Sequence, residues 1–204
     1  MVTLGIERKN PDYFAVEVMN YAFGAGFSSR LLKDLRTEKG LAYAVGGGIG
    51  SAFDHPGIFR LVIGTKSATT AEAIEGLKEE LKKLVDDPPK GDELRMAKET
   101  ILNAFIFNFD SKAKVLREQM AYEYYGYPLD FLDRYRAGIE KTTAEDVARV
   151  AKKYIHPEQF ATVVVGNPEE IGHQLTAMGP IAKWDITIPP PPRQAHPAAA
   201  SQKK

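Results

Sequence analysis

Gly26-Phe27-Ser28-Ser29-Arg30-Leu31-Leu32-Lys33-Asp34-Leu35-Arg36-Thr37-Glu38-Lys39-Gly40-Leu41-Ala42-Tyr43-Ala44-Val45 is the stretch that decides the fold. Ser28 or Ser29 is placed to cap a short helix whose apolar side is Leu31, Leu32 and Leu35, and Gly40 to close it in the left-handed conformation. Leu41 then opens an extended segment running to Phe53, with glycines at 46, 47, 48 and 50. Asp54-His55-Pro56-Gly57 reads as a turn, and Ile58 to Lys66 as the returning strand, so the two form a β-hairpin. Glycines inside a strand mark a bulge or the close approach of another backbone.

On the N-terminal side, Val2 to Ile6 alternates like a short strand. Asn10-Pro11-Asp12 opens a helix with proline at its first position. Tyr13, Phe14, Val16, Val18, Met19, Ala22 and Phe23 make that helix apolar on most faces, hence buried, and Gly24-Ala25-Gly26 ends it. On the C-terminal side, helices are predicted from Thr70 to Val85, Asp92 to Asn108, Lys112 to Tyr125 and Asp130 to Ile139. Thr142 with Glu145 fits a capping box for a further helix carrying Val147, Val150, Ala151 and Tyr154. Phe160 to Val165 (FATVVV) reads as a buried strand by its β-branched run. Asn167-Pro168 opens a last helix ending near Gly179.

Strands therefore segregate from a block of helices. That pattern predicts an α+β fold, a mostly antiparallel sheet covered by a layer of helices. One domain spans 1–182. From 183 to 204 the chain passes into a Pro-rich tail, then Ala, Ser, Gln and Lys, a composition that predicts disorder. No internal repeat is present.

The 204 residues are 44% hydrophobic and 26% charged, the composition of a globular domain. Lys and Arg number 27 and Asp and Glu 27, so bulk charge favours neither nucleic acid nor an anionic membrane as partner. The absence of cysteine excludes disulfides, thiolate zinc sites and cysteine nucleophiles. No apolar run approaches the roughly 20 residues of a membrane span.

Metal is the first chemistry to test. The four histidines, His55, His156, His173 and His196, share no three- or four-residue spacing, and neither HExxH nor HxxEH occurs. No metal site is expected in this chain. Gly24-Ala25-Gly26 and Gly46-Gly47-Gly48-Ile49-Gly50 lack the flanking elements and the Lys-Ser/Thr of a phosphate loop. Ser28 and Ser29 stand outside any GxSxG elbow and serve as capping residues.

The opening stretch resembles the C-terminal, non-zinc domain of the M16 family. These are the inverted-motif zinc metallopeptidases that include pitrilysin, insulin-degrading enzyme and the mitochondrial processing peptidase. The pattern SRL…LR…GLAY is met almost residue for residue. The likeness continues through a hairpin with Gly57, a helix of EGLKEELKKL type, Glu93-Leu94, Tyr124-Tyr125-Gly126, a Thr-x-Glu-Asp helix start and a VVVG strand, covering roughly residues 2 to 180. The resemblance implies a LuxS/M16 metallopeptidase-like fold. It also implies that this chain is one half of an endopeptidase whose zinc sits in an HxxEH-bearing partner domain or subunit.

In such enzymes an Arg and a Tyr seven residues apart reach from the non-zinc half to the substrate near the metal, and Arg36 and Tyr43 match that pair. Peptide hydrolysis builds negative charge on the carbonyl oxygen, which a guanidinium and a neutral phenol can stabilise as donors. Gly46, Gly47 and Gly48 would leave room for a substrate strand to pair with the hairpin. From spacing alone, Arg36 also reads as a solvated helix charge, and Tyr43, in strand parity with Leu41 and Val45, as core. Arg30 is expected to be structural, and Tyr122, Tyr124, Tyr125 and Tyr127 to pack in the core and at a domain interface. The expected partners are the zinc-bearing half and a peptide substrate, with self-association through the same patch as a further possibility. The alternative function is a non-catalytic scaffold or assembly subunit. A bacterial protein is expected, periplasmic or cytoplasmic, with the compartment left open.

Overall fold

A computed structural model describes residues 1–187. The predicted disordered tail lies, from residue 188 on, outside the described residues. The elements run β1 (Val2–Leu4), β2 (Ile6–Glu7), α1 (Tyr13–Asn20), β3 (Ala44–Ala52), β4 (Pro56–Gly64), α2 (Thr70–Asp86), α3 (Gly91–Phe105), α4 (Lys112–Tyr124), α5 (Phe131–Lys141), α6 (Ala144–Tyr154) and α7 (Pro168–Thr176). Two wide π-type helical segments, Tyr21–Ala25 and Leu32–Glu38, follow α1. The fold is the α+β arrangement expected.

The sheet has the order β1-β4-β3-β2. β1 and β3 flank β4 antiparallel, whereas β2 joins β3 in parallel through Ile6 and Glu7 opposite Ser51 and Ala52. The stretch expected as one strand, Val2 to Ile6, is thus split between opposite edges of the hairpin, which curls the sheet. Gly5 makes the crossing by donating its N–H to the Gly57 carbonyl at 2.7 Å, and a side chain there would strike the Gly50 carbonyl. Along β4, Phe59 and Leu61 point into the core while Ile58, Arg60 and Val62 point outward. One face is therefore covered by helices and the other is bare.

The core gathers Val16, Val18, Met19 and Phe23 of the first helical run against Phe59 and Leu61, with Leu77, Leu81 and Leu84 from α2. Val147 and Val150 of α6 and Ile139 of α5 close it from the other side. The helix starts later than read, at Tyr13 with Asp12 at its N-cap position, and the Asp12 side chain ties α1 to α6. Its carboxylate accepts from Arg149, from Lys153 at 2.7 Å and from the Tyr154 hydroxyl at 2.7 Å. Burial raises its pKa, but those three donors outweigh burial and hold it at about 2.

Three local readings are corrected. Ser28 and Ser29 do not cap the helix with their side chains; the Ser29 hydroxyl is buried with no partner among the described residues. The capping box is Thr143 with Asp146, one residue later than expected, because Thr142 turns its hydroxyl back onto the Gly138 carbonyl at 2.9 Å to finish α5. Phe160 to Val165 forms no buried strand. It touches the sheet at one antiparallel bridge, Val2 with Ala161, while Val163 and Val165 stand 63% and 89% exposed. Asn167, by contrast, caps α7 as read, accepting from the Glu169 N–H at 3.1 Å with Pro168 behind it.

Candidate functional site

The helical run carrying Arg30 and Arg36 ends where predicted. Gly40 has φ of +62°, and the Leu41 N–H bonds back to the Leu35 carbonyl at 2.9 Å. Leu31, Leu35 and Leu41 are buried and fasten this segment to the core. Arg30 is used in the same way. Its guanidinium grips both carboxylate oxygens of Glu93 at 2.6 Å and the Asp87 carbonyl at 2.6 Å, clamping the helix to the start of α3.

Arg36 and Tyr43 are placed differently. Arg36 is exposed. The charges around it are engaged with one another, Lys33 with Glu38 and Asp34 with Lys83, and Arg36 has no hydrogen-bonding or ion-pair partner among the described residues. Tyr43 is 88% exposed, which removes the core reading of its ring. Its N–H is fixed on the Gly64 carbonyl at 2.8 Å, so the backbone beneath the free phenol is held by the sheet. The same device fixes Leu41 below: its carbonyl accepts from the Thr65 hydroxyl at 2.7 Å.

Gly46, Gly47 and Gly48 lie next along β3, and the space beside them is filled from within the chain. A methyl on Gly46 would meet the Gly24 carbonyl oxygen at 2.8 Å, and one on Gly48 the Asn20 amide oxygen at 2.6 Å. Gly47 has φ of +139°, and a methyl there would collide with the Arg60 carbonyl. Strand alternation turns the Ile49 N–H and C=O toward the outer edge of β3, and Asn20 occupies both, at 2.8 and 2.9 Å. Gly24 lies over the Gly47 edge in the same way; a methyl on it would sit 2.5 Å from the Gly47 carbonyl oxygen. Edge pairing by a substrate strand, expected from the glycines, is therefore blocked at Gly47 and Ile49. The sequence reading gives Asn20 no role and Gly24 none at the sheet edge, although one amide in a mostly apolar helix is the available signal.

A cleft of about 820 Å³ opens beside Arg30, Glu80 and Glu93 and includes neither Arg36 nor Tyr43. Its Arg30 and Lys83 are already paired to Glu93 and Glu80, so it presents no free cation at those positions. Among the described residues no three His, Asp or Glu side chains converge on one position. No helix among them is long and apolar enough to cross a membrane.

Residues 2–101 match the family model described as the peptidase M16 inactive domain. The chain is 26% identical to the non-peptidase homologue YmxG of Helicobacter pylori, over 76% of this chain and 35% of that protein. It is 25% identical to an uncharacterised zinc protease of Streptomyces coelicolor, over 78% of this chain and 35% of the other. The crystal structure of a peptidase M16 inactive domain from Pseudomonas fluorescens superposes with a TM-score of 0.70 at 25% identity, covering 78% of this chain and 38% of that one. By family model, relatives and fold, the chain is similar to the inactive domain of the M16 zinc protease family. It spans about a third of the length of these curated relatives.

Proposed function

We propose that this domain is the substrate-binding and transition-state-stabilising half of an M16-type zinc endopeptidase, inactive until an HxxEH-bearing companion domain or subunit closes on it. The supporting observation is the contrast within one motif. Arg30, Leu31, Leu35 and Leu41 are consumed in holding the segment, while Arg36 and Tyr43 are left exposed on the rigid frame those residues make.

The companion supplies zinc chemistry, and this chain supplies donors. As the scissile carbonyl becomes tetrahedral, the Arg36 guanidinium donates to the oxygen gathering negative charge, and the Tyr43 hydroxyl donates to the same oxygen or its neighbour. Gly46, Gly47 and Gly48 enter as a half-buried floor over which the peptide passes beside Tyr43. The bare outer face of the sheet, with Leu4, Ile58 and Val62 exposed, is apolar surface for the companion to cover.

A non-catalytic scaffold is the alternative, favoured by one relative's description as a non-peptidase homologue. Turnover of an unstructured fluorogenic peptide separates the two. The chain with a zinc-bearing companion is expected to cleave it, and chelation to abolish cleavage. Chelator-resistant cleavage by this chain alone would overturn the half-enzyme function, and a stable but inert complex would favour the scaffold.

A further inference from the structure

α2 buries one apolar stripe, and a carboxylate stands in it. Glu80 lies one turn from Leu77 and one turn from Leu84, and at 0% exposure it is as buried as they are. Its sequence neighbour Glu79 faces outward and accepts from Lys39 at 2.9 Å. The Glu80 carboxylate has two oxygens and one donor. Lys83 donates to Oε1 at 2.6 Å, whereas Oε2 is sealed from solvent and has no partner among the described residues.

The group that reaches Glu80 from the facing element is a second carboxylate. Asp34, on the helical segment Leu32–Glu38, is within hydrogen-bonding reach of Glu80 and 3.5 Å from the same Lys83 ammonium. Arg30 senses Glu80 as well, but spends its N–H groups on Glu93 of α3 and on the Asp87 carbonyl. Two carboxylates thus share one ammonium, and acceptor meets acceptor. Burial raises the Glu80 pKa; Lys83 works against the rise and Asp34 adds to it. A cation in the adjoining cleft cannot touch a sealed oxygen. A proton needs no such room, and a protonated carboxyl becomes a donor.

We propose that Glu80 and Asp34 hold one proton between them, and that this bond is a pH-sensitive latch fastening the segment Leu32–Glu38 onto α2. The shared proton takes one charge out of the buried stripe and turns a repulsion into an O–H···O bond. The latch works in one direction. Between the ordinary 4.5 and the raised value, the folded chain keeps a proton that the unfolded chain has released. Stability therefore falls as pH rises through that window, and the segment loosens from α2. Asp34 and Arg36 ride on that one segment, so the latch governs how firmly Arg36 is presented. That consequence rests on the proposed function; the shared proton does not.

Two measurements on the full chain test the latch. In carbon-13 NMR, with the Glu80 carboxyl assigned through its own side-chain carbons, that carboxyl is expected to titrate above the ordinary 4.5. The second is amide hydrogen exchange, corrected for its intrinsic pH dependence, in the wild type and in Glu80→Gln. The carboxamide keeps an acceptor for Lys83 and offers Asp34 an N–H donor at every pH. The Lys39 and Leu41 amides close the segment on the Asp34 and Leu35 carbonyls. Their protection is expected to fall on the order of tenfold as the wild-type pair loses its proton, and to stay level in the variant. A Glu80 carboxyl titrating at or below 4.5 would overturn the inference, and it decides the matter even if the variant does not fold. So would protection that falls equally in both proteins. Neither readout uses peptide cleavage, so failure of the half-enzyme function would leave both standing.

Discussion

Arg30 and Arg36 stand six residues apart on one helical run, and the molecule treats them oppositely. The first is locked onto Glu93 and the Asp87 carbonyl, with side-chain exposures of 19% and 34% for the pair. The second meets only solvent. The same division separates Leu41, buried and bonded, from Tyr43, bonded through its backbone but free in its side chain. Residues of one short motif thus divide into those that build the platform and those presented on it. An exposed Arg or Tyr is ordinary by itself; a pair set on a segment this firmly held is worth testing as a site.

Substitutions can break or sharpen that division, and Gly47→Ala should do most damage. It places a methyl against the Arg60 carbonyl in a backbone conformation that L-residues avoid, so a loss of more than about 3 kcal/mol is expected in chemical denaturation. Arg30→Ala comes next. It strands a half-buried Glu93 carboxylate and one carbonyl, for about 2–3 kcal/mol, below the loss for a fully buried pair because both partners retain some solvent.

Asp12→Asn is expected to lose about 2 kcal/mol at pH 7, since the folded carboxyl titrates at about 2 against an ordinary 3.8. The folded state binds fewer protons than the unfolded one between those values. The contribution is therefore complete above about pH 4 and disappears as pH falls through about 2, and the variant's stability should be flatter across that window. Arg36→Ala and Tyr43→Phe should change stability least, within about 0.5 kcal/mol, because neither side chain touches the core. A loss approaching that of Arg30→Ala would place them with the platform and erase the comparison.

Much of the platform is legible in the sequence because its signals are local. Gly40 and Asn167-Pro168 declare their helix ends, and Leu31, Leu35 and Leu41 declare their burial. What escapes depends on distant partners. The pattern Thr-x-x-acid occurs twice in register, at Thr142–Glu145 and Thr143–Asp146, and only the Gly138 carbonyl decides between them. The valines of 160–165 read as core because β-branching reports strand propensity, whereas burial needs a neighbour on each side. The glycines of β3 read as room for an edge-pairing strand, yet Asn20 and Gly24 hold that edge, and nothing near residue 46 in the sequence names residues 20 and 24. Arg36 and Tyr43 were placed by resemblance. Structure adds that they are exposed and the segment bearing them is fixed.

The most direct measurement is kcat/KM for peptide cleavage by the Tyr43→Phe protein assembled with its zinc-bearing half, with folding and zinc content checked in the same sample. The substitution removes one hydroxyl and nothing that the fold uses. If that hydroxyl stabilises the transition state, turnover falls on the order of 10²–10³-fold, with stability and metal content unchanged, and Arg36→Ala behaves alike. Wild-type turnover in both variants would contradict the assignment of Arg36 and Tyr43 and leave this domain as a scaffold alone.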